Sequence, residues 1–447
     1  MLRWTLATAA LSAVATATPP SVHDIQAPLQ RIGFGSCNDQ SMEQPLWPAI
    51  INYDPELWVW MGDNIYADIK EQDQPSGPPR WIPGKMFTEA TPEVLRYRYA
   101  KQLSHPKYSE FVKKTPIVGI WDDHDFGIND GHKGYSYREE SQQIFLDYMN
   151  EPADSPRRKQ EGVYASYTVG SGEKTVKFIL VDNRYHRDEY HLHDGDFLGE
   201  AQWAWLENEL ATSDAAFNVI VSGIQILPAD RFFPAESWSR FPHQRERLIK
   251  SILSSHAKGV ILLSGDVHFA EINQIVCSDG RNVLTEMTSS GMTHSWMQFH
   301  FRSIKFFPAL LFTFANMLLP WEFRPQHDSL YGYLNWGMID IDWDHADHPV
   351  AHVRVRGQDD QVKLQFDVPS VSFHSDSAAS DAELCQPPRL MGDAERLFWR
   401  VVMMGSVTLM LLSILFNGVV ALWLVYFFLT KLLGTAKKTP AKTTKTD

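Results

Sequence analysis

Residues 122–125 read Asp-Asp-His-Asp, which places three carboxylates and one imidazole in consecutive positions. Apolar residues 116–121 precede them and turn-rich residues 126–131 follow, so the acids are expected where a buried strand leads into a loop. Adjacent carboxylates repel one another, and a shared cation at the carboxyl end of a strand would offset that repulsion. The alternative is an acidic surface loop, because runs of aspartate are usually solvated.

Three other apolar runs also end in residues that can bind a metal. Residues 31–37 end in Gly35-Ser36-Cys37, residues 57–63 end in Gly62-Asp63 with Tyr66 close behind, and residues 260–268 end in Gly265-Asp266-Val267-His268. Glycine stands where the backbone must turn sharply. Any one of these strand ends is a weak signal, but the four together predict one site at the edge of a sheet.

Such a site needs strands that end side by side. Apolar strands are predicted at 31–37, 57–63, 116–121, 164–169, 177–182, 218–223 and 260–266, with helices at 91–103, 139–150, 199–210 and 244–256. Continuously apolar strands that alternate with helices predict an α/β architecture with buried sheets. The later segments 273–290, 335–343, 348–356 and 361–367 favour antiparallel structure that completes a second sheet.

Composition and charge bound the classes of function. The chain has 447 residues, 44% of them hydrophobic, which suffices for a substantial core. Its formal net charge of −13 argues against a nucleic-acid binder, which would need a basic surface. No nucleic-acid partner is therefore expected.

Both ends of the chain carry targeting signals. Residues 1–17 have Arg3, an apolar core and a small-x-small cleavage site, and they predict a signal peptide. Residues 401–429 carry no charge, and lysines follow them, which predicts a single membrane span at 398–430 with a cytosolic tail at 431–447. A buried helix of a soluble domain is the alternative, and the length of the uncharged stretch disfavours it. The expected topology is type I, with the catalytic body lumenal or extracellular.

Two further motifs lie at the end of the predicted strand 177–182 and at the start of the helix that follows it. Val181-Asp182-Asn183-Arg184-Tyr185 ends one of them, and the helix after it begins Leu198-Gly199-Glu200-Ala201-Gln202. Together with the Gly-Ser-Cys, Gly-Asp, Asp-His-Asp and Gly-Asp-Val-His motifs above, these resemble the PhoD-type alkaline phosphatases, a branch of the calcineurin-like metallophosphoesterase superfamily. The resemblance covers roughly residues 30–300. It implies an α/β fold of two sheets in a β-sandwich flanked by helices, with the site at the strand ends.

The resemblance also implies the cofactors, a ferric ion held by thiolate and phenolate together with one or two calcium ions. The metal positions that it implies are Cys37, Asp63, Tyr66, Asp122, Asp123, Asp266 and His268, with Asp63 as the bridge between ions. The catalytic positions are His124, Arg184 and His268, with His124 orienting phosphate or protonating the leaving oxygen and Arg184 neutralising phosphate charge. Which of Asp122 and Asp123 binds metal stays open, and Asn129 is a weaker candidate for a calcium contact. With Cys37 on a metal, Cys277 and Cys385 are left to form a disulfide.

The implied activity is hydrolysis of phosphate monoesters, and of diesters as a second class, by attack of a metal-bound hydroxide on phosphorus. The expected partners are a phosphate-ester substrate and the membrane. One alternative is a phospholipid or glycan-phosphate phosphodiesterase, which the apolar residues 306–321 would bring to lipid. Another is a catalytically silent receptor with the same fold, which the complete ligand set disfavours. The expected organisation is a signal peptide at 1–17, a metallophosphatase domain at 18–369, a linker at 370–397, the span and the tail.

Overall fold

The computed structural model describes residues 20–69, 87–189, 191–192, 194–228, 236–276, 283–298, 323–326, 328–372 and 393–436. The predicted signal peptide, the apolar residues 306–321, the two cysteines of the predicted disulfide and the last part of the tail lie outside the described residues. Of the predicted linker, only residues 370–372 and 393–397 are described.

Strands and helices alternate through the first two thirds of the described chain. The strands are β1 (Arg31–Gly35), β2 (Leu57–Met61), β3 (Ile117–Ile120), β4 (Ala165–Ser171), β5 (Lys174–Val181), β6 (Phe217–Ser222), β7 (Val260–Ser264), β8 (Ala270–Val276), β9 (Val283–Ser289), β10 (Leu330–Tyr331), β11 (Asn335–Asp342), β12 (Val350–Gly357) and β13 (Val362–Pro369). The helices are α1 (Trp47–Tyr53), α2 (Pro92–Leu103), α3 (Pro106–Phe111), α4 (Asp123–Phe126), α5 (Arg138–Tyr148), α6 (Glu200–Ala211), α7 (Pro242–Ser254) and α8 (Asp393–Ala436). Each of the predicted strands and helices forms within a few residues of its expected bounds, whereas the short helices α1, α3 and α4 were not predicted.

Proline sets the start of three of the helices. Pro92, Pro106 and Pro242 each occupy the first helical position of their helix. Proline fits there because its backbone nitrogen has no hydrogen to leave unpaired and its φ angle already suits a helix. The same reasoning explains all three starts, including that of α2 directly after Thr91.

The first sheet has the strand order β13-β12-β11-β1-β2-β3. Strands β1, β2 and β3 are parallel, with Ile32 opposite Leu57 and Trp58 opposite Ile117. Their carboxyl ends therefore meet at one edge of the sheet. Strands β11, β12 and β13 continue the sheet antiparallel from β1. The sequence had suggested that these late segments complete the second sheet, but they complete the first.

The second sheet has the strand order β10-β8-β9-β7-β6-β5-β4. Strands β5, β6, β7 and β9 are parallel to one another, while β4, β8 and β10 are antiparallel to their neighbours. The predicted strand segment 273–290 is in fact two paired strands, β8 and β9. The carboxyl ends of β5, β6, β7 and β9 share one edge, as those of the first sheet do.

The two sheets pack face to face. One apolar cluster takes residues from both sheets, including Phe34 and Val59 from the first and Phe178 and Ile261 from the second. A second cluster joins the outer face of the first sheet to α1, α2, α3 and α5, and a third joins the second sheet to α6 and α7. The predicted mixed α/β architecture with two sheets is confirmed.

Helix α8 stands apart in its composition. Residues Met404–Lys431 form the one helix in the described part of the chain that is long and apolar enough to cross a membrane. Its large apolar side chains are exposed, with Leu415 at 65% and Leu422 at 73% of their full accessible area. The helix overlaps the predicted span at 398–430.

Candidate metal centre

The strand ends of both sheets converge on one group of loops. The backbone N–H of Asn38, after β1, donates to the carbonyl of Asp63, after β2, at 2.8 Å. The N–H of Gly265, after β7, donates to the carbonyl of Gly223, after β6, at 3.0 Å. The loop after β9 is tied to the loop after β1, because the N–H of Met292 donates to the carbonyl of Ser36 at 3.2 Å. Ligand atoms of Cys37, Asp63 and His268 lie within 4.8 Å of one another, and so do those of Asp63, Asp123 and His124, so all four strand ends predicted to carry the site are brought together.

Four of the predicted ligands lie in an unusual backbone conformation. Cys37, Asp63, Asp266 and His268 have φ angles of +61°, +50°, +72° and +58°. A non-glycine residue in this left-handed region costs about 1 kcal/mol or more, and such residues concentrate at functional sites. The surrounding loops therefore hold these side chains in place against their local backbone preference.

A first group of ligand atoms combines sulfur, oxygen and nitrogen. The Cys37 thiol lies 3.4 Å from Asp63 Oδ2, and the Tyr66 hydroxyl lies 3.2 Å from the same oxygen. The Tyr66 hydroxyl is also 3.1 Å from His268 Nε2. Ligand atoms of Cys37, Asp63 and His268 all lie within 4.8 Å of one another. We call these four residues the thiol group.

Burial keeps Cys37 and Tyr66 of the thiol group protonated and His268 neutral. Burial and the nearby Asp63 carboxylate raise the pKa of the Cys37 thiol well above its usual value, and the same two causes raise that of Tyr66. Burial lowers the pKa of His268 to about 4, with a further contribution from His124. The imidazole is therefore neutral, the state in which it binds a metal, and a bound cation would favour the thiolate and phenolate.

A second group contains carboxylates alone. Oxygens of Asp122, Asp123 and Asp266 lie within 4.8 Å of one another. Asp122 Oδ2 is buried and accepts no hydrogen bond from any described residue, while Oδ1 of the same side chain accepts from Arg184 Nε at 2.6 Å. A buried carboxylate oxygen without a donor calls for a cation. We call these three residues the carboxylate group.

The charges of the carboxylate group also indicate a cation. Burial raises the pKa of Asp122 to about 8 despite the opposing effect of Arg184. Burial and the neighbouring Asp122 and Asp123 raise the pKa of Asp266 well above its usual value. Oxygen donors of this type suit calcium, so the residues present fit the predicted ion. Asp122 and Asp123 belong to the same group, so the choice between them as metal ligands stays open.

Asp63 and Asp123 connect the two groups. Ligand atoms of Asp63, Asp123 and His124 lie within 4.8 Å of one another, and Asp63 also belongs to the thiol group. The backbone N–H of His124 donates to Asp63 Oδ1 at 3.3 Å and to Asp123 Oδ1 at 2.9 Å. Asp63 therefore lies where a carboxylate could contact two ions, as its predicted bridging role requires.

His124 is held by a residue that the sequence did not single out. Its Nδ1 lies 2.7 Å from Asp68 Oδ1, and both side chains are buried. Burial lowers the pKa of His124, but Asp68, Asp123 and Asp63 outweigh it and raise that pKa well above its usual value. The second Asp68 oxygen accepts from the backbone N–H of Asn129 at 2.8 Å. Asp68 thus fixes both the orientation and the charge of the imidazole.

Replacing Asp68 tests this arrangement. We expect Asp68→Asn to lower kcat about 10- to 100-fold with little change in KM, because outer partners of this kind typically contribute that much. The pH profile of kcat should shift as well, since His124 loses its nearest negative charge. Steady-state kinetics across pH would check both effects, with Asp367→Asn, the surface partner of His352, as the matched control. Unchanged kcat and pH profile would show that Asp68 only supports the loop.

Arg184 is buried away from solvent. Its Nε donates to Asp122, and its Nη1 lies 2.5 Å from Glu236 Oε2. Arg187 also pairs with Glu236. These contacts place the guanidinium where it orients Asp122, and the expected role of Arg184 in neutralising phosphate charge stays a prediction.

Asp125 and Asn129 have structural contacts. Asp125 accepts the backbone N–H groups of Asp63, Asn64 and Asp122 at 3.3, 3.0 and 2.6 Å. Burial raises its pKa to about 7, although these donors oppose the shift. Asp125 therefore joins the loops after β2 and β3 and is not directed at a ligand. The contact described for Asn129 is through its backbone N–H and not its side chain.

Gly62 lets the loop after β2 approach that after β3. Its φ is +92°, and a Cβ there would lie 2.4 Å from Asp122 Cβ. We expect Gly62→Ala to destabilise the protein by about 2–4 kcal/mol and to weaken metal binding, because the added methyl must displace Asp122. Gly172 is the matched control: its φ is +59°, but nothing lies within 4 Å of its Cβ position, so Gly172→Ala should cost about 1–2 kcal/mol. Denaturant unfolding of both variants measures the difference, and equal losses would contradict the crowding argument.

Several residues of the site were not identified from the sequence. Ser290 and His294 enter it from the loop after β9, Asp68 from the loop after β2, and Asp130 and Glu236 from two other segments. The Ser290 hydroxyl lies 2.9 Å from the Cys37 sulfur and accepts the backbone N–H of His268 at 2.8 Å. Ser290 directly follows the apolar strand β9, so the pattern that identified the other strand ends could also have identified Ser290.

Comparison with known proteins places the chain in a family. Alkaline phosphatase D of Bacillus subtilis (strain 168) is 27% identical over 281 residues, 54% of this chain and 46% of that protein, so the match spans less than half of the relative's length. A solved structure of PhoD superposes with a TM-score of 0.52 and 17% identity, covering 86% of this chain and 78% of the other, which shows a shared fold. A sequence model of the PhoD-like phosphatases matches residues 33–305, which include every ligand of the thiol and carboxylate groups. The chain belongs to the PhoD-like phosphatase family.

Proposed function

We propose that the chain is a membrane-anchored, metal-dependent phosphatase that hydrolyses phosphate monoesters. The observation that carries the proposal is the convergence of two different ligand groups on one set of strand ends. Asp63 of the thiol group and Asp123 of the carboxylate group lie close together, and both groups are largely buried. Closely spaced cations are suited to phosphoryl transfer because they offset charge on both the attacking and the leaving oxygens.

The two groups favour different ions. Cys37 and Tyr66 offer a thiolate and a phenolate, which suit a strongly charged transition metal, and we assign ferric iron to the thiol group. Asp122, Asp123 and Asp266 offer only carboxylate oxygens, and we assign one or two calcium ions to them. When bound, the ions would activate water and offset charge on the phosphoryl oxygens. The chain's own residues then orient the ester and handle its protons.

His124 is the residue placed to donate a proton. Asp68 holds its Nδ1, which leaves Nε2 for the leaving oxygen of the ester. The raised pKa of His124 keeps the imidazole protonated near neutral pH, as a general acid requires. Arg184 contributes by holding Asp122 in position.

Removing the metals separates the proposed enzyme from a silent receptor. We expect the purified protein to contain iron and calcium and to cleave a chromogenic phosphate monoester faster than the matching diester. A calcium chelator should abolish activity and lower the melting temperature, because ligands that bind the folded state alone stabilise it. Calcium should restore both. Activity that persists after complete chelation would overturn the calcium assignment, and protein without either metal would overturn the proposal.

The anchor is proposed from helix α8. Residues 398–430 would cross the membrane, with the domain at 18–369 in the lumen or outside the cell and the lysine-rich tail at 431–447 in the cytosol. The chain has no Asn-x-Ser/Thr acceptor of its own, so glycosylation can report topology.

An acceptor can be added on either side of the span. Asp344→Asn with Ala346→Thr creates one on an exposed turn of the domain, and Lys442→Asn creates one in the tail. In eukaryotic cells, we expect the first variant to gain a glycan and the second to remain unmodified. The reverse pattern would place the domain in the cytosol, and modification of both would mean that α8 does not span the membrane.

A further inference from the structure

His294 faces the thiol group from the loop after β9. Its Nε2 lies 3.1 Å from His268 Nε2, and its ring packs edge-on against Tyr66 with centroids 5.0 Å apart. The loop that carries it is fixed to the loop of Cys37, because the backbone N–H of Thr293 donates to the Cys37 carbonyl at 3.3 Å. His294 is therefore held beside the ligands by the same loop contacts that place Cys37.

The Thr293 hydroxyl contacts one ring nitrogen of His294. It accepts the backbone N–H of Asp39 at 2.9 Å and can donate to the Cys37 carbonyl at 3.3 Å. His294 Nδ1 lies 3.0 Å from that hydroxyl oxygen. When the hydroxyl hydrogen is on the Cys37 carbonyl, the hydroxyl accepts from His294 and Nδ1 is the protonated nitrogen.

In that tautomer, the lone pair of His294 Nε2 points toward His268. A neutral imidazole protonated on Nδ1 offers Nε2 as an acceptor or as a metal ligand. His268 Nε2 is itself 3.1 Å from the Tyr66 hydroxyl, so both imidazoles and the phenol oxygen meet at one place. If His268 binds a metal through Nε2, a cation shared by the two imidazoles would accept both lone pairs.

We propose that His294 is a second imidazole ligand of the transition metal held by the thiol group. The proposal rests on the proposed function, which supplies the metal. Two nitrogens bound to one ion at about 2.1 Å and at a right angle are about 3 Å apart, which matches the observed Nε2 to Nε2 distance. Cys37, Asp63, Tyr66, His268 and His294 then provide one sulfur, two oxygens and two nitrogens. Calcium prefers oxygen ligands alone, so this donor set favours iron and related metals.

The test uses the intact purified protein with its metals bound. His294→Gln and His294→Gly remove the imidazole, and His352→Gln removes one on the surface, where it pairs with Asp367. Three quantities are measured: iron per chain, the rate at which a chelator removes iron, and the visible charge-transfer band of the thiolate and phenolate. Calcium per chain and the melting temperature report whether each variant folds.

We expect both His294 variants to release iron at least tenfold faster and to shift the visible band, with calcium content unchanged. Added imidazole should return the band of His294→Gly toward that of the parent, and His352→Gln should match the parent throughout. An unchanged band position and release rate in folded His294 variants would overturn the proposal. A parent protein with no transition metal and no band would instead overturn the proposed iron site, so the two failures are distinguishable.

Discussion

Asp63→Asn is expected to reduce kcat/KM for a phosphate monoester at least about 10³-fold, equivalent to about 4 kcal/mol of transition-state stabilisation. Asp63 lies between the thiol group and His124, and it is the acid placed to contact two ions. An asparagine keeps the shape of the side chain, but it has one acceptor oxygen where Asp63 accepts from Tyr66 at one oxygen and from the His124 N–H at the other. It also removes the charge that would hold the cations.

Asp63→Asn should lower activity, but it should not lower the stability of the metal-free protein. Burial raises the pKa of Asp63 well above its usual value, and Asp122, Asp123 and Asp125 add to the effect. Without metal, the neutral variant should therefore be at least as stable as the parent, while the stabilisation by added metal should be lost. Melting curves with and without metal would measure both effects.

A matched control for this variant exists on the surface. Asp54 also has a positive φ, +56°, but its side chain is exposed and pairs with Arg31. Asp54→Asn should leave activity and metal content unchanged. If Asp63→Asn retained more than a tenth of the parent activity, Asp63 would not bridge the ions.

Arg184→Met is expected to destabilise the protein by about 3–5 kcal/mol, the second large effect. The guanidinium is fully buried between Asp122 and Glu236, and its removal leaves Asp122 without this cation and Glu236 with Arg187 alone. Removing one member of a buried ion pair typically costs this much because the remaining charge stays desolvated. Denaturant unfolding of metal-loaded protein would measure the loss.

Arg247 provides the comparison for Arg184. It pairs with Glu207 and Glu200 at the surface between α7 and α6, so Arg247→Met should cost less than about 1 kcal/mol. A direct phosphate contact by Arg184 would give a different result, a raised KM with stability unchanged. That outcome would support the role expected from the sequence.

Much of the fold follows from local pattern. Continuously apolar runs such as 57–61 and 260–264 are recognisable because a strand buried on both faces must be apolar at every position. Cys37, Asp63, Asp122 and Asp266 were identifiable because each follows such a run. The sequence also indicated that the acids at 122–125 serve a cation and not a solvated surface.

Only the tertiary structure shows which acids of residues 122–125 belong to the carboxylate group and which bind the neighbouring loop. Asp122 and Asp123 face the cation space, whereas Asp125 turns back to accept N–H groups from the loop after β2. Consecutive residues with the same side chain cannot be told apart by type, and only the path of the neighbouring loop separates them. Asp68 follows Tyr66 closely but contacts His124 on another loop, and Glu236 and His294 come from later segments, so no local pattern could predict these contacts. Their contacts exist because two sheets bring their strand ends together, and that packing is a property of the whole chain.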